Sequence, residues 1–188
     1  MTRIGKAIMA GEMALNRAQG DTDRHLASIE LSIAAPSDID GILGLQEENQ
    51  PEQGGLLSTR LPRAWFEAAL NDLPIIVARR SGRVVGYLVT ASREATQNVP
   101  VLAAMLRAYP GTLHSYSYGP VCVAADERGH GLAGMMFAEL RKQLPGREAI
   151  LCIRTDNTAS LRAHQKMGMH EVAAFEHDGI RFLALVYR

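Results

Sequence analysis

Val121-Cys122-Val123-Ala124-Ala125-Asp126-Glu127-Arg128-Gly129-His130-Gly131-Leu132-Ala133-Gly134 is the stretch that decides the fold. Its apolar start reads as a strand. From Gly131 to Leu144 the apolar residues Leu132, Met136, Leu140 and Leu144 recur every fourth position, as on one face of a helix that Pro145-Gly146 stops. A glycine-rich turn between a strand and a helix gathers free backbone N–H groups and the positive helix end at one spot, which suits an anion. Gly129 and Gly131 allow positive φ and a close approach, Ala133 and Gly134 keep the first turn slim, and Arg128 adds a charge. An anionic cofactor is the expected occupant.

Outward from this turn, the chain alternates strand and helix signals. Upstream come a short strand from Ile29 to Ala34, a helix after Pro36-Ser37-Asp38, a loop over 47–58, and a helical face from Leu61 to Leu70. Pro74 to Ala78 and Val84 to Thr90 are β-branched runs separated by Arg79-Arg80-Ser81-Gly82-Arg83, a hairpin signature. An insertion over 92–113 holds a short helix, Val99 to Ala108. Leu113 to Ala124 is the next strand, and its Gly119-Pro120 marks a bulge, because proline removes a ladder donor. Ala149 to Ile153 reads as a buried parallel strand and Asn157 to Lys166 as a short helix ended by Gly168. Glu171 to His177 and Ile180 to Tyr187 are strands joined by Asp178-Gly179. The expected fold is a single α/β domain over 29–188 with a mixed sheet of seven main strands and about four core helices.

The chain has 188 residues, 20 Lys plus Arg, 20 Asp plus Glu, and 5% aromatics. Zero formal charge and few rings disfavour a nucleic-acid surface, and no apolar run is long enough to span a membrane. Cys122 and Cys152 lie inside apolar runs and read as reduced core thiols, so the expected compartment is the cytoplasm. Residues 1–28 read as a helical or disordered extension, since Glu12 interrupts any apolar targeting core. The six histidines form no ligand spacing, so no metal is expected.

Two readings of the turn compete. Gly129-x-Gly131-x-x-Gly134 fits a dinucleotide fingerprint, with Asp156 as a ribose-binding acid. Against it, Asp126-Glu127-Arg128 intervenes where a tight turn is needed, and too few parallel β-α units remain downstream. The other reading is a resemblance. Val123-x-x-x-x-Arg128-Gly129-His130-Gly131-Leu132-Ala133 resembles motif A of the GNAT superfamily of N-acetyltransferases, and Asn157-x-x-Ser160-x-x-x-His164-x-Lys166-x-Gly168-Met169 is similar to a second segment of that family.

The resemblance implies a GNAT-like acyltransferase fold with helices on both faces, acetyl-CoA as co-substrate, and direct acetyl transfer to a small-molecule or peptide amine. It implies that the pyrophosphate sits on Arg128, Gly129, His130, Gly131, Leu132, Ala133 and Gly134, and that the strand of Val121, Cys122 and Val123 pairs with pantetheine. Splaying at Gly119-Pro120 is expected to open a slot, with the Val123 N–H as oxyanion donor and Asn157 holding the cofactor by its amide. His164 stands where the family commonly has a tyrosine acid, and imidazole can also give a proton. The carboxylate base often found on the strand before the turn has no counterpart, leaving Tyr116, Tyr118, His114 or Glu47 through water. Glu47, Glu48 and Glu52 border the acceptor site in this reading and favour a cationic amine. A homodimer is the assembly that the resemblance suggests. The missing tyrosine and carboxylate also motivate an alternative, a non-catalytic acyl-CoA sensor.

Overall fold

The structure, a computed structural model, describes residues 28–55, 57 and 59–188. The helical or disordered extension lies outside the described residues apart from Ser28. Seven strands form one mixed sheet: β1 (Glu30–Ile33), β2 (Ile76–Arg80), β3 (Arg83–Ala91), β4 (Tyr116–Val123), β5 (Ala149–Arg154), β6 (His170–His177) and β7 (Ile180–Tyr187). Their order is β1-β2-β3-β4-β5-β7-β6, and only the β4–β5 pair is parallel. Six α-helices accompany them among the described residues: α1 (Ile39–Glu48), α2 (Arg63–Ala69), α3 (Arg93–Gln97), α4 (Pro100–Ala108), α5 (Leu132–Gln143) and α6 (Thr158–Lys166).

Neighbouring residues of a strand point to opposite faces, which shows how the helices are shared out. Ala149, Leu151 and Leu185 join the main apolar core with Met136, Phe137 and Leu140 of α5. Ile150, Ala184 and Val186 pack instead with Met105 of α4 in a second cluster. Helices therefore cover both faces of the sheet.

The first hairpin is tighter than its sequence suggests. Both strands run through the arginines, leaving Ser81 and Gly82 as a two-residue turn with φ 49° and 76°. The arginines tolerate strand positions because each meets an acid: Arg79 holds Asp38 (2.7 and 2.5 Å) and Arg80 holds Glu127 (2.6 and 3.0 Å). The insertion contains one helix more than expected, α3, whose cap is Ser92 accepting from the Ala95 N–H.

The feature that positions the site is the β4–β5 seam. Only Tyr116↔Ala149 and Ser117↔Ile150 pair across it, whereas β5 pairs with β7 over its whole length. On the other side of β4, the register jumps from Leu88↔Val121 to Thr90↔Tyr118, so Gly119 and Pro120 face Val89 alone. That extra residue is the bulge expected from Gly119-Pro120; Gly119 takes φ 105°, and the Gly119–Pro120 peptide is cis. A bulge bends its strand and increases local twist. Past it, β4 leaves β5 and the seam opens as a V.

Candidate active site

At the mouth of the V lies the glycine-rich turn. Gly129 and Gly131 have φ of 81° and 80°, and a Cβ on either would have no heavy atom within 4 Å beyond its chain neighbours. Open space therefore covers both. The Met135 N–H is the first to close an α-helical bond here, onto the Gly131 carbonyl, which leaves the N–H groups of Leu132, Ala133 and Gly134 for an outside acceptor. Leu132 offers only its backbone, because its side chain is buried in the core, while His130 is exposed. Arg128 is turned back: its guanidinium donates to Asn49 Oδ1 and, at 3.2 Å, to the Val123 carbonyl. Asn49 is itself anchored on the Leu45 carbonyl at 2.8 Å. The cradle is thus mainly backbone, with Arg128 tying it to the end of α1.

The ladder phase fixes which way β4 presents its polar groups. Ala124 donates to the Val85 carbonyl at 2.9 Å, which makes the opposed residues Gly86 and Val123 a non-hydrogen-bonded pair. Leu88↔Val121, two residues along, has the same phase. The N–H and C=O groups of Val121 and Val123 consequently point away from β3 and into the open seam. Cys122 alternates with them and pairs with Tyr87. Its thiol is buried, with Sγ 3.7 Å from the Leu45 carbonyl, and burial pushes it up to about 11. Burial likewise pushes Cys152 up to about 12. Neither sulfur is a thiolate near neutrality, and both cysteines are free.

A cavity of about 110 Å³ occupies the open seam, lined by Val121, Leu151 to Arg154, Asn157, Ser160 and His164 among others. Asn157 performs two tasks: its Oδ1 accepts the Ser160 N–H at 3.1 Å, capping α6, and the residue lines the cavity. His164 is 6% exposed. Its Nδ1 lies 2.8 Å from the Ser160 carbonyl, which can only accept, and 3.2 Å from Ser160 Oγ, which can donate or accept; the shorter contact calls for the hydrogen on Nδ1. The other ring nitrogen, Nε2, is buried and has no hydrogen-bond partner. Burial holds the imidazole below its usual value, against the opposing bond to Ser160. The Tyr118 ring meets the imidazole edge to face at 5.5 Å, and its hydroxyl is also buried without a partner. Burial raises that phenol well above its ordinary value, so it stays protonated.

A wider cavity of about 320 Å³ adjoins the first and shares Tyr118, Gly119, Pro120, Cys152 and Arg154 with it. Its walls are mostly apolar: Leu61 and Trp65 on one side, Val99, Val101 and Leu102 from the insertion, and Ile180 and Phe182 from the last hairpin. His177 and Asp178, 3.4 Å apart, also line it, and sequence reasoning does not single them out. Their two-residue turn reads as purely architectural; the only signal is a histidine beside it.

Of the base candidates, Tyr118 alone lines either cavity. Tyr116 is buried beneath Arg147, and burial pushes it up to about 12. His114 is exposed, and Glu47 pairs with Arg60 at 3.3 Å, where Glu52 also approaches at 3.8 Å. Arg60 therefore offsets part of the acidic loop's charge. Asp156, the acid of the dinucleotide fingerprint, is held by Arg154 through two bonds of 3.0 and 2.5 Å. Among the described residues, no three His, Cys, Asp or Glu side chains gather as metal ligands, and no helix is long and apolar enough to cross a membrane.

The sequence model of the Acetyltransferase (GNAT) family matches residues 42–169, more than half of the chain. The chain belongs to the GNAT acetyltransferase family. Its GNAT core resembles the L-amino acid N-acyltransferase MnaT of Escherichia coli, with 28% identity over 123 residues, 63% of each chain. The match thus spans less than two thirds of that relative's length. Two solved structures share the GNAT fold. One is yncA from Salmonella typhimurium with its cofactor acetyl-CoA (TM-score 0.65, 18% identity, 86% of this chain and 94% of that one). The other is the ribosomal-protein-alanine N-acetyltransferase of Brucella melitensis (TM-score 0.61, 22% identity, 84% and 98%). With a single parallel strand pair, this GNAT sheet lacks the run of parallel β-α units that a dinucleotide-binding fold requires.

Proposed function

We propose that the protein is an acetyl-CoA-dependent N-acetyltransferase that moves an acetyl group to an amine by direct attack in a ternary complex. The observation that carries this is the one-sided opening of the seam: β4 leaves β5 after two pairs and turns the backbone of Val121 and Val123 into the gap. The pyrophosphate would rest on the turn from Arg128 to Gly134, held by N–H groups and the α5 dipole. Pantetheine would run along β4, with Asn157 and the cavity walls around it. Acetyl-CoA bound to yncA supports that co-substrate here. It supplies an activated acyl group as a thioester; the Val123 N–H, which faces the gap, would stabilise its developing oxyanion. The raised thiols favour direct attack over an acyl-cysteine.

The wide apolar cavity is the acceptor site in this proposal. Leu61, Trp65, Val99, Leu102 and Phe182 suit a small-molecule or peptide amine with an apolar body. A free amino acid, the acceptor class in the relative's name, would bring a carboxylate that must compete with Asp156 for Arg154, the one Lys or Arg lining the cavity among the described residues. The proposal includes cytoplasmic location and a homodimer. Release of free thiol from acetyl-CoA across alkylamines, arylalkylamines, amino-acid esters, free amino acids and peptide N-termini tests it, with greatest activity expected for the apolar amines. Absence of thiol release with every class overturns it. Tight coenzyme A binding by calorimetry with no turnover would favour the sensor instead, an alternative motivated by a cofactor slot that no carboxylate lines among the described residues.

A further inference from the structure

The seam holds a buried imidazole nitrogen with a lone pair and nothing to accept. Nδ1–H of His164 is committed to the Ser160 carbonyl one helical turn back, which orients the ring; Nε2 is buried without a hydrogen-bond partner on a residue that lines the cavity. In this tautomer Nε2 has no proton to give to a departing thiolate. Among the described residues, the titratable and charged side chains sharing its cavity are Tyr118 from β4 and Cys152 and Arg154 from β5; none of these is a carboxylate. Both the missing base and the source of the acid's proton thus converge on one atom.

Resting on the acetyl-transfer proposal above, we infer that His164 Nε2 carries the proton both ways, first accepting it from the attacking nitrogen and then delivering it to sulfur. The neutral amine attacks the thioester carbonyl and the N–C bond forms. Nitrogen, now bearing a surplus proton, gives it to Nε2. The C–S bond then breaks with its electron pair on sulfur, and Nε2–H protonates the thiolate. The products are an amide and a thiol, and His164 returns to its neutral state, so no outside acid, base or oxidant is needed. The Ser160 carbonyl fixes the tautomer at the start and steadies the imidazolium in between. Burial keeps the resting ring neutral, as a base must be. Tyr118 packs edge-on against the ring and limits its rotation.

The first test needs no turnover. Long-range proton–nitrogen correlation spectra of the full chain, with the His164 signals identified by their loss in His164→Gln, are expected to show the Nδ1–H tautomer with a bare Nε2 at neutral pH. An Nε2–H tautomer overturns the inference. The second test measures the rate against pH with the amine that the wild type uses best. The wild type is expected to show an extra unit of slope in log kcat/KM below an apparent pKa under about 6.5. His164→Asn and His164→Gln are expected to lose that slope and about 10²–10⁴-fold in kcat, while calorimetric affinity for coenzyme A changes only a few-fold. His164→Tyr separates the roles: a residue needed only as an acid would be replaced by the phenol, so wild-type kcat in that variant overturns the two-way role. So does wild-type turnover that survives intact in both amide variants. A wild type that binds coenzyme A and acetylates no amine overturns the acetyl-transfer proposal and this inference together, which is distinguishable from variants that keep full activity.

Discussion

At its start, the β4–β5 seam is closed by Tyr116↔Ala149 and Ser117↔Ile150, and Tyr116 donates to the Glu148 carbonyl at 3.0 Å. The Glu148 carboxylate, on a residue 4% exposed, takes bonds from Arg188 and Tyr109 (both 2.9 Å) and from the Thr112 N–H (2.7 Å). A few residues on, the β5-facing edge of β4 meets no strand, and the polar groups lining the gap include Tyr118 and His164, whose hydroxyl and Nε2 are buried without a hydrogen-bond partner. One end satisfies the carboxylate it buries; the other leaves polar atoms waiting. On the acetyl-transfer proposal, stability is concentrated at the closed end and chemistry at the open one, so changes at the two ends should separate cleanly.

The largest effect is expected at the open end. Val123→Pro removes an N–H that faces the gap rather than β3, so kcat should fall about 10²–10³-fold with little change in melting temperature. Cys122→Pro, one position back, removes a ladder donor and should destabilise the fold instead. Parallel kinetics and thermal melts distinguish these outcomes.

The closed end should give the reverse pattern. Glu148→Ala removes the shared acceptor of Arg188, the Tyr109 hydroxyl and the Thr112 N–H, and urea titration should show a loss of about 1–2 kcal/mol, with kcat of the folded protein nearly unchanged. Acid should expose the same clamp more gently. Burial works to raise the Glu148 carboxyl, but Arg188, the Thr112 N–H and Tyr109 outweigh it and hold the group below its usual value. Its contribution is therefore complete above the unfolded carboxyl range near about 4.3 and is lost as pH falls through the lower folded value. Melting temperature should drop less steeply below about pH 4.5 in Glu148→Gln than in the wild type.

The smallest effect is expected at the mouth. Arg128 is already shared between Asn49 and the Val123 carbonyl, so Arg128→Ala should weaken coenzyme A binding only about two- to fivefold by calorimetry. A loss of hundreds-fold would show that the cradle depends on this cation rather than on its backbone.

The parts legible in the sequence are those whose cause is local. Gly129 and Gly131 are needed where the chain takes positive φ, and Gly119-Pro120 disturbs β4 because proline cannot serve a ladder. The parts that are not legible have distant causes. Arg79 and Arg80 read as turn residues because Asp38 and Glu127, which let them extend β2, lie 41 and 47 positions away. The tautomer of His164 depends on a backbone carbonyl, to which residue type gives no clue. The walls of the wide cavity come from five separate stretches of chain, and none carries a pattern by itself. Helix α3 is legible in principle: Ser92 with Glu94 two residues on is a start signal, masked because the helix itself is only five residues long.

Arg93 fastens the neck of the insertion. From the first residue of α3 it donates to the carbonyls of Pro110 and, at 3.3 Å, Thr112, and to Ser115 Oγ at 2.9 Å. The two ends of the 93–115 excursion are thus pinned to each other before they rejoin the sheet, while Val99, Val101 and Leu102 project from between them into the wide cavity. With its neck tied and Met105 and Tyr109 seating it against Ile150 and Glu148, side chains on its cavity face can change without moving its ends. In the proposed acetyltransferase, acceptor range can therefore diverge by side-chain changes confined to one wall of the wide cavity.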